Sequence, residues 1–364
     1  MGNIKFNSDN AKESEFSKVL KKRVREYFNH SGRSTHGDTR MYLKSMVMLG
    51  LYLIPFILLL FVVQSIWVAL VLVVLMGIGE AGIGMSVMHD AAHGAYSNKK
   101  WINTFAASSM FLLGSTTINW KIQHNMFHHT YTNIYNFDPD ISTKAVIRLS
   151  DHAPLKKYHR FQKYYAFPLY GLMTILKLLG EINAFMRYHK EGLIKKMNAS
   201  PAKEFVKLIL TKLIYLSVII GLPLLFTDFS IWQILTGFMV IHFVAGMIMS
   251  TIFQMAHVVM GVYQPVPVNG VITSKRLVHQ LRATSDFGRK SGLLSWYMGG
   301  LDFQTEHHLF PNICHIHYAD IAPIVEKTAS EFGFTYNNNQ TFAHALVSHY
   351  QRLEELGKSA VTLP

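Results

Sequence analysis

Four apolar runs, each long enough to cross a lipid bilayer, set the terms for this chain. Residues 42–63 and 66–88 are almost wholly apolar and are separated by Gln64-Ser65. Residues 208–226 and 231–258 form a second pair around Thr227-Asp228-Phe229-Ser230. About 20 apolar residues in a helix span a ~30 Å hydrocarbon core. Inside lipid each backbone group must be bonded within its own segment, so all four runs are expected to be helices. The short joins allow nothing but tight hairpins. Pro223 is expected to kink or end the third span.

Basic residues orient the hairpins. No Lys or Arg lies between Lys44 and Lys99, or between Lys212 and Lys275. The positive-inside rule then makes residues 1–41, 89–207 and 259–364 cytoplasmic, with both termini inside and both hairpin tips outside. In a bacterium this is the inner membrane. The formal net charge of +13 would point a soluble protein to nucleic acid. Only 16% of residues are charged, however, against about 25% in soluble domains. A basic face against anionic headgroups is therefore expected, and no nucleic-acid partner. Cys314 is the single cysteine and excludes an internal disulfide. The polar start has no apolar h-region, so no cleavable signal peptide is expected.

Ahead of the first span, Phe16, Leu20, Val24 and Phe28 recur at helical spacing among Lys18, Lys21, Lys22, Arg23 and Arg25. Such a helix lies on a membrane surface or packs on the cytosolic part of the protein; the pattern fits both. Residues 105–117 are apolar but short, as in a re-entrant or interfacial piece, and 145–200 are mixed and basic, as in cytosolic helices. One domain over 1–364 is expected.

Histidines cluster at the cytosolic ends of these spans. His124, His128 and His129 fall within six residues, and His89-Asp90-Ala91-Ala92-His93 is a second cluster. Gln304 precedes His307 and His308 by one turn, and His257 closes the fourth apolar run. Residues at i, i+3 and i+4 share a helix face, so each cluster can aim its donors at one point. Neutral imidazoles converging in this way suit a transition metal. The charge argument did not require all four groups to fall on one side of the membrane at one depth, yet they do.

Other patterns have plainer readings. Gly77-Ile78-Gly79-Glu80-Ala81-Gly82 matches a dinucleotide fingerprint but lies inside a span with no preceding strand, where small residues serve helix contacts. His242 sits fifteen residues before His257, ~22 Å along a helix, too far to join the same site. Glu80 is an intramembrane carboxylate, either functional or held by a structural hydrogen bond. His315 and His317 suit packing roles, and the Asn-X-Ser/Thr patterns at Asn29 and Asn339 fall on cytosolic parts.

The histidine boxes on a two-hairpin layout resemble the membrane fatty-acid desaturases, over nearly the whole chain. The sequence Gln304-Thr305-Glu306-His307-His308-Leu309-Phe310-Pro311, with Gln in place of the box's first His, is similar to the front-end subgroup. So is His128-His129-Thr130-Tyr131-Thr132-Asn133 followed by Asp138 and Asp140. The resemblance implies an all-α integral membrane protein, two transmembrane hairpins capped by a cytosolic helical part with a di-iron site. It implies that His89, His93, His124, His128, His129, His257, His307 and His308 hold two non-haem irons, with Gln304 in or beside the set. It also implies the reaction. Oxygen and two electrons are consumed, two hydrogens leave adjacent carbons of a long acyl chain on coenzyme A or a lipid, and a cis double bond and water result. Asp90, Asp138, Asp140, Asp302 and Glu306 are candidates to brace the ligands, and Glu306 is also a candidate ligand.

Many front-end enzymes carry a fused cytochrome b5 domain marked by His-Pro-Gly-Gly. This sequence lacks the motif, so a separate electron donor is expected, a free cytochrome b5 or a ferredoxin with its reductase. Docking cations would come from Lys156, Lys157, Arg160, Lys195, Lys196, Lys203, Arg276, Arg282, Arg289 and Lys290. An acyl tunnel is expected beside Val87, Met88, Ile252 and Phe253. The nearest rival is a related di-iron membrane lipid hydroxylase. A zinc hydrolase needs fewer ligands, and a metal transporter would place them at the bilayer midplane.

Overall fold

The computed structural model describes residues 4–142 and 146–358. Four of its helices are long and apolar enough to span a membrane: Thr39–Phe61, Ile66–His93, Pro201–Phe226 and Ile231–His257. Lys157–Tyr170 and Met173–Lys190 pass the same test only together, across an 81° bend. The second span continues through both histidines of the first box. The third begins at Pro201, earlier than hydropathy suggests, because Pro at the first helical position is already set for helix. A widened π-type turn over Ser217–Gly221 accommodates Pro223, and the helix runs on to Phe226.

The described residues fall into two compact units: 38–123 with 167–251, and the stretches 4–37, 124–166 and 252–358. In the first unit lipid-facing side chains stay uncovered, among them Ile54 at 60% and Leu225 at 77% exposure. Trp67 and Trp232 open the second and fourth spans near the hairpin turns and are also exposed, as in an interfacial aromatic belt. The fourth span starts with a reciprocal cap: Ser230 N–H donates to Gln233 Oε1 at 2.8 Å, and Gln233 N–H to Ser230 Oγ at 3.4 Å.

The glycine-rich stretch is a helix contact. A Cβ on Gly77 would meet the Ile241 carbonyl oxygen and Val244 Cβ, each at 2.7 Å, and one on Gly79 would meet the Tyr52 nitrogen at 2.7 Å. The intramembrane Glu80 has His242 as partner, Oε1 to Nδ1 3.4 Å, and His242 Nε2 lies 2.8 Å from the Tyr215 hydroxyl. All three are buried, so both titratable groups flagged within the spans belong to one polar cluster.

In the second unit the N-terminal helix Ala11–Ser31 buries Phe16, Leu20, Val24 and Phe28 against Ile321, Ala322, Val325 and Ala329. Its apolar stripe thus packs on the protein. Asn10 caps its start, accepting from Lys12 N–H at 2.9 Å, and Arg23 pairs with Glu331 at 2.6 Å. Two short parallel ladders tie distant segments together. Lys5–Phe6 pairs with Val271–Ile272, and Asp286–Phe287 with Asn338–Asn339.

Gly77→Ala and Gly180→Ala should act in opposite directions. The first forces a Cβ into a helix interface and should cost about 1–3 kcal/mol. The second meets nothing within 4 Å in the helix Met173–Lys190, so it should stabilise by about 0.5–1 kcal/mol through helix propensity. Thermal unfolding in detergent checks both signs.

Candidate metal centre

The second histidine box lies on a helix that changes pitch. Thr117–Trp120 is α-helical, Lys121–His128 widens into a π-type turn, and His129–Tyr131 returns to α. The chain then leaves the helix at Thr132 and takes a left-handed conformation at Asn133, φ 58°. Asn tolerates that region because its amide bonds nearby backbone. Here Asn133 Nδ2 donates to the carbonyls of His257 at 2.9 Å and Ala283 at 3.0 Å. The third box occupies the short helix Gln304–Leu309, every residue of which is buried.

These elements bring His128, His257 and His308 together, one nitrogen from each within 4.8 Å of the others. His128 Nε2 lies 3.2 Å from His308 Nε2. The Gln304 amide nitrogen is 2.8 Å from His257 Nε2 and 3.2 Å from His308 Nε2. A second group joins His129, His307 and His308 within the same 4.8 Å limit, and His124 Nε2 is 3.1 Å from His129 Nε2. His307 therefore faces His129, while Gln304 faces His257 and His308, so one short helix serves two donor groups.

The outward nitrogens explain why Nε2 points inward. His128 Nδ1 lies 3.1 Å from each oxygen of Asp138 and 3.5 Å from Asp140 Oδ2. His308 Nδ1 donates to Gln280 Oε1 at 2.8 Å, His307 Nδ1 lies 3.2 Å from the Tyr318 hydroxyl, and His257 Nδ1 lies 3.4 Å from the Ala283 carbonyl. A proton held on Nδ1 leaves an Nε2 lone pair facing the cluster. The lone pairs of His128 and His308, 3.2 Å apart, repel unless a cation lies between them. Metal–imidazole bonds of about 2.0–2.1 Å at ordinary angles separate two nitrogens by about 3 Å. Gln304 Oε1 is buried with no hydrogen-bond partner among the described residues. Turning the amide over aims that oxygen at the same point. The donor set fits a metal.

His89 and His93 belong to the membrane-helix unit. They close the second span just after a π-type turn over Ile83–Met88, with rings 4.9 Å apart and Trp120 against both at 5.7 and 5.6 Å. Asp90 Oδ1 is 3.8 Å from His89 Nδ1.

Glu306 is turned elsewhere. Its Oε1 accepts from the Tyr336 hydroxyl at 2.9 Å, and its carboxyl is bonded to Asp286, which also receives Thr305 N–H at 2.9 Å. Burial, then the Asp286 charge, holds Glu306 well above the ordinary carboxylate range, and burial raises Asp286 as well. Both carboxyls bond to the Tyr336 hydroxyl. Asp302 is fully buried, and His317 Nε2 lies 3.1 Å from the His36 carbonyl. Sequence reasoning missed Gln280, Ala283 and Tyr318, and named Asn133 only within a motif, without a role. Gln280 also donates to the His129 carbonyl at 3.0 Å, so one amide steadies two histidines. No spacing rule singles out a lone amide or a backbone carbonyl.

The chain can be compared with known proteins on this geometry. The sequence profile of the fatty acid desaturase family matches residues 64–339. A sn-1 linoleoyl-lipid 6-desaturase of Arthrospira platensis is 30% identical over 94% of this chain and 92% of its own length. A second sn-1 linoleoyl-lipid 6-desaturase, from Synechocystis sp., is 32% identical over 95% and 96%. An acyl-lipid (8-3)-desaturase of Physcomitrium patens is 33% identical over 95% of this chain and 72% of its own.

Asp138→Ala removes the acceptor of His128 Nδ1–H. Metal affinity should fall about 10–100-fold, as for other supports of metal-bound histidines. Metal content after equilibrium dialysis of monodisperse protein measures it; unchanged affinity would show that Asp138 does not orient His128.

Proposed function

The chain belongs to the fatty acid desaturase family, and from that premise we propose that it inserts a cis double bond between an existing double bond and the carboxyl end of a lipid-borne acyl chain. The observation that carries this reading is Gln304. Its amide closes the His128, His257 and His308 group, where the wider family has a histidine. The lipid carrier and the front-end position follow the named activities of the relatives, two sn-1 linoleoyl-lipid 6-desaturases and an acyl-lipid (8-3)-desaturase.

His89, His93, His124, His128, His129, His257, His307, His308 and Gln304 hold two iron ions. Non-haem iron with oxygen as co-substrate supplies the power to take hydrogen from an unactivated methylene, which ordinary side chains lack. The chain's own residues supply the rest. Asp138, Gln280, Tyr318 and the Ala283 carbonyl hold Nδ1–H outward and fix each ring. Burial of His128, His257, His307 and His308 keeps bulk water away. The Phe253 ring lies tilted against His128 and His257, at 4.9 and 4.8 Å, and with Ile252 offers an apolar wall for the methylene chain; Val87 and Met88 do so beside His89.

The centre and both termini face the cytoplasm, a placement that the Lys and Arg distribution favours. Two electrons per turnover come from a separate carrier, a free cytochrome b5 or a ferredoxin with its reductase. Arg276 and Arg289 are engaged within the fold, with the His129 carbonyl and with Glu326, so the carrier meets Lys156, Lys157, Arg160 and Lys290 on that unit. Lys195, Lys196 and Lys203 lie exposed on the other.

Expression in a host without polyunsaturated lipids, fed linoleate, should yield a lipid acyl chain with a new double bond on its carboxyl side. Gln304→Ala should lower the yield at least tenfold. A hydroxylated product, or a new bond on the methyl side, would sink this reading.

Reconstituted enzyme should not turn over on NADPH without a carrier. With a limiting acidic carrier its rate should fall as salt shortens the Debye length below ~10 Å. A flat rate across ionic strength would remove the charge-steered docking.

A further inference from the structure

The C-terminal helix Phe342–Lys358 lies beyond residue 339, where the family match ends. Ala345, Leu353 and Leu356 on it are fully buried. It is fastened near its own end: Gln162 Nε2 donates to the Leu353 carbonyl at 2.8 Å, the Arg148 guanidinium donates to the Leu356 carbonyl, and Lys163 pairs with Glu354 at 2.7 Å. Two adjacent side chains reach another helix end. His349, wholly buried, places Nδ1 2.6 Å from the Val258 carbonyl oxygen, and Ser348 Oγ accepts from Met260 N–H at 3.1 Å. Val258 directly follows His257.

A helix leaves its last four carbonyls without partners of its own. At the end of the fourth span three consecutive carbonyls are met by three separate segments. Ser285 N–H donates to Ala256 at 2.9 Å, Asn133 Nδ2 to His257 at 2.9 Å, and His349 Nδ1–H to Val258. Burial keeps His349 neutral, its pKa pushed down to about 4, so its one N–H is committed to that carbonyl.

We propose that His349 is a positioning residue for the metal centre: by capping the carbonyl beside His257 it holds the helix end in the rotation that aims His257 Nε2 at Gln304 and His308. The C-terminal helix is then the third clamp on a ligand, although it carries no ligand itself. This rests on the reading of His257 as an iron ligand given under Proposed function.

The test uses the full chain in detergent, loaded anaerobically with iron(II) and freed of excess metal. Iron per monodisperse chain and turnover are measured side by side. His349→Asn keeps a donor close to the place of Nδ1, whereas His349→Leu fills similar space without one. Wild type and His349→Asn should each retain two irons. His349→Leu should retain about one, with iron at the His257 group released about 10–100-fold more readily. Where the Leu variant does not fold, His349→Ala takes its place. A donorless variant with full iron overturns the proposal. So does a folded His349→Asn that loses iron, because ring bulk and not the cap would then matter. A wild type that takes up no iron defeats the desaturase-centre reading itself. In a failure confined to His349 the wild type loads fully and the donorless variant matches it.

Discussion

An imidazole has two nitrogens and, when neutral, one proton between them. A histidine that offers Nε2 to a metal must keep that proton on Nδ1, and a buried Nδ1–H needs an acceptor. Much of the unit that holds these histidines is arranged around this demand. Asp138 takes it for His128, Gln280 for His308, and the Ala283 carbonyl for His257. Each acceptor is held in turn: Asp138 receives Asn133 N–H, and Gln280 donates to the His129 carbonyl. The loop after the second box and the helix Arg276–Ala283 are thus parts of one hydrogen-bonded frame.

The same economy of polar groups governs the membrane helices, with the opposite outcome. There the backbone satisfies itself, and side chains mostly need no partner. Among the described residues, Lys212 of the third span pairs with Glu181, and Glu80, His242 and Tyr215 form a fully internal cluster. Breaking one member of such a buried set leaves the others uncompensated, and so it fixes how the second and fourth spans meet. Gly77 lets those two backbones come close enough for that meeting, and Gly79 does the same against the first span.

The spans, the hairpins and the histidine boxes were legible because each has a periodic or compositional signature. Apolar length marks a span, and i, i+4 spacing marks a box. The N-terminal stripe of Phe16, Leu20, Val24 and Phe28 was only half legible. An amphipathic pattern says that a face is covered, not whether lipid or protein covers it. The π-type turns at Ile83–Met88 and Lys121–His128 left no mark in the sequence. They insert part of a residue per turn and so re-aim the histidines without changing their spacing. Gln280, Asn133 and His349 were illegible for another reason. Each acts on a partner more than a hundred residues away or on a backbone carbonyl, and neither kind of partner shows in local sequence.

The distance along the chain between partners has a consequence in time. His128 and His308 meet across 180 residues, and His349 reaches back 91 residues to Val258. A ribosome releases these segments in order. The membrane helices can enter the bilayer as they emerge, because each completes its own backbone bonds. The donor groups cannot close until Gln304–His308 have left the exit tunnel. Until then His128 has Asp138 beside it but not both His257 and His308. The complete donor set therefore forms late in the life of the molecule, and a nascent chain stalled before residue 308 would carry its membrane helices without it.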